Sequence, residues 1–170
     1  KYSCSLSGYI DKHGEEEGTK LYKSWKSSTL KNSSFVSKVS QKFCNILYSR
    51  LEELSYNLDK VYYNNLNQEY LLILEDRCYF YDWVDTINKI CIEFNGDAFH
   101  ANPNIYDKLD TPNPFNNKLT SEEIWSSDKI KNDLLLENRD IKQIIIVWES
   151  DFKNDPDKVI NDIIKAYNDI

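Results

Sequence analysis

Methionine is missing from all 170 residues, position 1 included, which points to a fragment or a processed chain. A basic excess is missing too: 21 Lys and Arg stand against 28 Asp and Glu, a net charge of −7. Nucleic-acid-binding domains are usually basic, so this balance does not announce such a partner. The charge is uneven, with Lys and Ser abundant in the first fifty residues. Acids gather at Glu15 to Glu17, around residues 82–97 and in the C-terminal third. An acidic total also fits carboxylates collected around a metal ion, whose charge cancels their repulsion. Cys4, Cys44, Cys78 and Cys91 form no CxxC pair and follow no secretory signal, which argues against zinc and against a disulfide framework. Cys78 and Cys91 lie in apolar runs and read as small buried hydrophobes. No apolar run approaches the ~18 residues that span a bilayer, so a cytoplasmic chain without a membrane partner is expected.

The length fits one domain with a small appendage. Residues 1–34 read as that appendage, a helical hairpin and linker, and residues 35–170 as the main domain. In the hairpin, Gly14 caps a first helix and Glu15 to Glu17 open a second. Tyr9, Ile10, Leu21, Tyr22 and Trp25 supply its packing face, while His13 falls in a helix C-terminal turn. Lys26 to Ser34 reads as a solvated link. Phe35 to Leu58 then carries apolar residues at three- and four-residue steps and is expected to be one amphipathic helix.

Glu69–Leu74, Cys78–Val84 and Lys89–Phe94 read as three strands of an antiparallel meander. Residues 101–118 hold three of the four prolines and are expected to be an irregular loop. Thr120-Ser-Glu-Glu123 is a capping-box opening for a helix to about Asn138. Ile141–Trp148 is a continuous apolar run, expected to be a strand covered on both faces. Pro156, after Asn154 and Asp155, opens a last amphipathic helix. The expected fold is therefore α/β (α+β): a mixed sheet flanked by helices.

Two of these strands carry a carboxylate each, Asp82 and Glu93, and Asp97 and His100 follow at once. A carboxylate on a buried strand face is costly unless something compensates it, commonly a metal ion. Asp82 and Glu93 could hold Mg²⁺, His100 could act as general base or acid, and Lys131 could neutralise charge developing on a phosphate. The bland alternatives are a structural hydrogen-bonding role for Asp82 and none in catalysis for His100.

The residues Tyr-Asp82-Trp, Glu93-Phe-Asn-Gly-Asp97-Ala-Phe-His100, Glu123-Ile-Trp-Ser-Ser-Asp128-Lys-Ile-Lys131 and Ile146-Val-Trp-Glu149 carry a resemblance. In this order of helix, strands, helix and strand they resemble the PD-(D/E)XK nuclease core, whose fold is restriction-endonuclease-like. More narrowly they resemble the branch of the very-short-patch repair endonuclease and the EDxHD homing endonucleases. The likeness covers roughly residue 35 to the C-terminus. Leu6 to Trp25 also resembles short helical repeats that precede such domains in phage proteins.

The resemblance implies metal ligation by Asp82 and Glu93, with Mg²⁺ or Mn²⁺ as cofactor. It implies acid–base work for His100, a supporting aspartate at Asp128, and an upstream glutamate at Glu69, with Glu53 as second choice. Asn95 stands where many of these nucleases carry a catalytic lysine, so that role must move to His100 or Lys131. The implied function is a metal-dependent endonuclease on double-stranded DNA, monomer or homodimer, encoded by a phage or bacterium. Sequence specificity would come from a separate DNA-reading segment. The rivals are a non-catalytic nucleic-acid-binding or inhibitor module on the same fold, and a metal-dependent RNase.

Overall fold

The computed structural model describes residues 6–31, 37–63, 69–74 and 77–169. The first two helices, α1 (Leu6–His13) and α2 (Glu15–Lys31), form the expected hairpin. Gly14 turns between them at φ 80°, a left-handed conformation that costs glycine nothing. All three acids fall in the first turn of α2, where they meet the positive end of its dipole. Tyr9 packs its ring against Tyr22 and Trp25 at centroid distances of 5.9 and 6.2 Å. A link from Lys26 does not materialise, because α2 runs on to Lys31. Lys and Ser without an intervening Gly or Pro give the helix no reason to stop.

Gly18 is what lets the two helices meet. A Cβ there would stand 2.5 Å from the Tyr9 carbonyl oxygen and 2.7 Å from the Ile10 backbone. Backbone cannot yield as a side chain would, so Gly18→Ala must push α1 away, at about 1–3 kcal/mol of local overpacking. Hydrogen exchange of the α1 amides is expected to accelerate roughly tenfold in that variant. Unchanged protection would mean that the hairpin contact is not what holds α1.

The main domain begins with α3 (Lys38–Glu53), whose N-cap Ser37 accepts a hydrogen bond from the Val39 N–H. The proposed start at Phe35 lies outside the described residues. The end is earlier than the periodicity predicted, at Glu53 rather than Leu58. Ser55 takes a left-handed φ of 63° and the Tyr56 N–H returns to the Leu51 carbonyl, closing the helix. Leu54 is accordingly exposed while Leu58 packs on the core from a turn.

The strands are β1 (Val61–Tyr63), β2 (Tyr70–Leu74), β3 (Arg77–Tyr81), β4 (Trp83–Asp85), β5 (Ile90–Asn95) and β6 (Gln143–Trp148). They form a mixed sheet in the order β1-β4-β5-β6, with β5 and β6 parallel and the other pairs antiparallel. A separate antiparallel hairpin holds β2 and β3. The expected meander is thus cut in the middle. Cys78–Val84 is not one strand but two, broken at Asp82, with its halves in different sheets. Strand β1 had no sequence signal strong enough to be assigned.

The helices α4 (Ser121–Asn138), α5 (Glu149–Asn154) and α6 (Pro156–Asn168) complete the chain. Thr120 and Glu123 form the expected reciprocal capping box of α4. Between the parallel strands α4 makes the crossover. On one face of the sheet, Ile90, Ile92 and Phe94 of β5 pack with Phe43 and Leu47 of α3, Phe152 of α5 and Ile163 of α6. On the other face, Cys91 packs with Leu135 of α4 and with Leu72 and Tyr81 of the hairpin. Every residue of β5 is buried. Strand β6 is not, since Gln143 and Ile146 are exposed, so its apolar run marks a sheet edge rather than a covered centre. Among the described residues no helix is long and apolar enough to cross a membrane.

Candidate active site

Period-2 alternation puts Cys91, Glu93 and Asn95 on the face of β5 that looks toward α4. The β4–β5 register pairs Trp83 with Ile92, and one step further it sets Asp82 opposite Glu93. The backbone ladder ends there. The Phe94 N–H donates instead to Asp82 Oδ2 at 2.9 Å, so the break in the strand is what turns this carboxylate toward β5. Lys131, on the sheet-facing side of α4, donates from Nζ to Glu93 Oε2 at 2.8 Å and lies 4.8 Å above the Tyr81 ring. The Tyr81 hydroxyl in turn donates to the Lys131 carbonyl, tying the helix to the hairpin.

His100 is placed by the turn that leaves β5. The amides of Phe99 and His100 both donate to the Gly96 carbonyl, and Asn102 N–H donates to the Asp97 carbonyl. Asp97 Oδ1 accepts from Asn102 Nδ2 at 2.6 Å and from Ser150 Oγ at 2.8 Å. Asp97 Oδ1 is therefore committed to holding the turn. Trp125 Nε1 donates to the Ala101 carbonyl at 2.6 Å, pinning the turn to α4. One helical turn along, Asp128 Oδ2 meets His100 Nδ1 at 2.7 Å. With Asp128 ionised, Nδ1 carries the hydrogen and Nε2 remains free to exchange a proton.

A cavity of about 590 Å³ is lined by Glu69, Asp82, Glu93, His100 and Lys131, and by Ser37 and Ser40 at the start of α3. It lies at the carboxyl end of β5, where ligands of open sheets with parallel strands commonly bind. Five of the six nominated residues thus share one wall, and the sixth, Asp128, supports His100. Glu53 is not among them: it is exposed and paired with Arg50 at 3.0 Å. Sequence reasoning gave no role to Glu149, Ser37 or Ser40, which also face the cavity. Glu149 follows β6 as Gly96 follows β5, and the parallel pairing of those strands was the signal that could have found it.

The carboxylates crowd one another. Burial, then the charge of Asp82, pushes Glu69 up to about 7 against the pull of Lys131. Burial likewise raises Asp82, with Lys131, the Phe94 N–H and His100 working the other way. Glu93 is only 4 % exposed, and that burial holds it well above the ordinary carboxylate range although Lys131 opposes it. Burial alone would lower Lys131, but Glu93 and Asp82 outweigh it and keep the ammonium charged.

Two crowded, reluctantly ionised carboxylates beside a roomy cavity fit a hard divalent cation, which favours their charged forms. Among the described residues no three His, Cys, Asp or Glu side chains close into a metal cage. Asp82 and Glu93 are the side chains that could hold such an ion.

A pH dependence follows. Glu69 and Glu93 hold their protons more tightly in the folded chain than in the unfolded one, whose carboxyls titrate near ~4.3. Their stabilisation is complete below that value and is lost as pH rises through about 7 at Glu69, and further at Glu93. In EDTA, the melting temperature is expected to fall between roughly pH 5 and 8, and Glu93→Gln to flatten part of that fall. Thermal unfolding by circular dichroism checks it; an identical slope in both proteins would refute the assignment to Glu93.

No protein-family model, curated protein or solved structure matches the chain.

Proposed function

We propose that this chain is a metal-dependent endonuclease cleaving phosphodiester bonds of double-stranded DNA, on a PD-(D/E)XK-type core. The observation that carries the reading is the convergence of Glu69, Asp82, Glu93, His100 and Lys131 on one cavity, with Asp128 behind His100. The order α3, β4, β5, α4, β6 also supports it, being the order of helix, strands, helix and strand that the resemblance rests on. Asn95 leaves the strand without the family's lysine, but Lys131 brings an ammonium to Glu93 from α4.

Asp82 and Glu93 would hold Mg²⁺ or Mn²⁺, which supplies a Lewis acid for the phosphate and an acidified water. His100, oriented by Asp128, exchanges the proton through Nε2. Lys131 offsets charge building on the phosphate, and Glu69 orients the attacking water. Net acidity leaves little affinity from phosphate contacts alone, so a separate DNA-reading segment supplies specificity. The α1–α2 hairpin is a remnant of such a segment. The enzyme is encoded by a bacterium or its phage and acts in the cytoplasm, singly or as a homodimer.

The test is nicking of supercoiled plasmid with Mg²⁺ or Mn²⁺, beside a matched RNA. Cleavage is expected to stop in EDTA and to fall by about 10²-fold or more in His100→Ala. Cleavage that survives EDTA sinks the proposal. Cleavage of RNA alone transfers the site to an RNase, and no cleavage of either with metal present makes the fold a binding module.

A further inference from the structure

Two side-chain oxygens are buried without any hydrogen-bond partner among the described residues, Glu93 Oε1 and Asn132 Oδ1. They belong to facing elements, β5 and α4, and both residues line the same small chamber. Glu93, His100 and Lys131 border both this chamber and the large cavity. Ile146 of β6 forms an apolar wall, and Asn95, His100, Asp128 and Lys131 are the other lining residues. Its volume is about 10 Å³, close to the ~10–15 Å³ of accessible space that a single water requires.

An unsatisfied buried acceptor is expensive, and two of them on one chamber narrow what can sit there. With Glu93 ionised both are acceptors, and one small occupant that donates twice satisfies them together. It must also be no larger than one heavy atom. Lys131 Nζ is held on the other Glu93 oxygen, Oε2, and no hydrogen bond takes it to Oε1 or to Asn132 Oδ1. His100 Nδ1 is likewise held on Asp128.

We infer that this chamber is a binding site for one water molecule, which donates to Glu93 Oε1 and to Asn132 Oδ1 together. Asn132 is then a positioning residue: with Lys131 on one oxygen of Glu93 and the bridged water on the other, the carboxylate plane is locked. The His100–Asp128 pair also lines the chamber. This inference does not depend on the nuclease reading, because it concerns only acceptors and space.

High-resolution crystal structures of the whole chain and of two variants test it. The wild type is expected to show one ordered water within hydrogen-bond distance of both oxygens. Asn132→Leu is expected to lose that water and to turn the Glu93 carboxyl. Asn132→Asp, which keeps an oxygen in place, is expected to retain both the water and the orientation. A merely space-filling Asn132 would leave Glu93 equally placed in the two variants, which overturns the positioning role. A wild-type structure with no density there, or with Asn132 Nδ2 donating directly to Glu93, overturns the site. A rubidium soak that gives anomalous signal in the chamber would replace water with a monovalent cation and also overturn it. Should Asn132→Leu fail to fold, the wild-type density and the soak still decide.

Discussion

Asp82→Asn is expected to lower metal-dependent nicking by about 10³-fold, equal to losing ~4 kcal/mol of transition-state stabilisation, without lowering the melting temperature. The two halves of that expectation come from different atoms. Structurally, Asp82 matters through Oδ2, which accepts the Phe94 N–H at 2.9 Å. The amide oxygen of Asn keeps that bond, so the strand break and the β4–β5 register survive. Chemically, the substitution removes a charge that burial already disfavours and that pushes Glu69 and Glu93 upward. Stability therefore holds or rises as metal affinity collapses. Mn²⁺ titration followed by electron paramagnetic resonance separates loss of the ion from loss of chemistry. Full nicking activity in a well-folded Asp82→Asn would move the centre elsewhere.

Much of the fold was legible because its signals are local. The capping box at Thr120 and Glu123, the proline after Asp155 and the acid-rich start after Gly14 each fix an element end within a few residues. What failed was whatever depended on distant partners. Strand propensity runs unbroken from Cys78 to Val84, and nothing nearby reveals that Asp82 trades its ladder position for a side-chain bond to Phe94. The apolar run at 143–148 looks like a central strand, yet it lies at the edge of the sheet, with no further strand paired to it among the described residues. Leu58 kept the helical period past the point where Ser55 turned left-handed. Periodicity does not register that turn.

The site was legible in kind and less so in wiring. Asp82, Glu93 and His100 stand out because carboxylates and histidine are unusual beside buried strands. Their assembly could not be read, since it needs α4 to cross over and bring Asp128 and Lys131, one turn apart, onto two different partners. Asp97 follows Glu93 closely in the sequence. Its contacts with Asn102 and Ser150 show a turn-closing role that only tertiary structure discloses.

Lys131→Met should produce the largest loss of stability of any single substitution at the site, about 3–5 kcal/mol near pH 8. Removing the ammonium strands Glu93, which is 4 % exposed and whose other oxygen has no hydrogen-bond partner among the described residues. It also removes the cation above the Tyr81 ring. The cost should shrink in acid. Below its raised folded value Glu93 takes up a proton, and a neutral carboxyl tolerates burial far better than a carboxylate. Without Lys131 that value climbs further, so the variant loses stability more steeply than wild type as pH rises from roughly 5 to 8. Adding Glu93→Gln removes the uncompensated charge and is expected to recover most of the loss, since replacing both members of a buried pair is often neutral. Urea unfolding of wild type, both single variants and the double variant at two pH values closes the cycle. If Lys131→Met costs the same with Glu93 or Gln at 93, the pair is not coupled, and the ammonium matters only for packing on Tyr81.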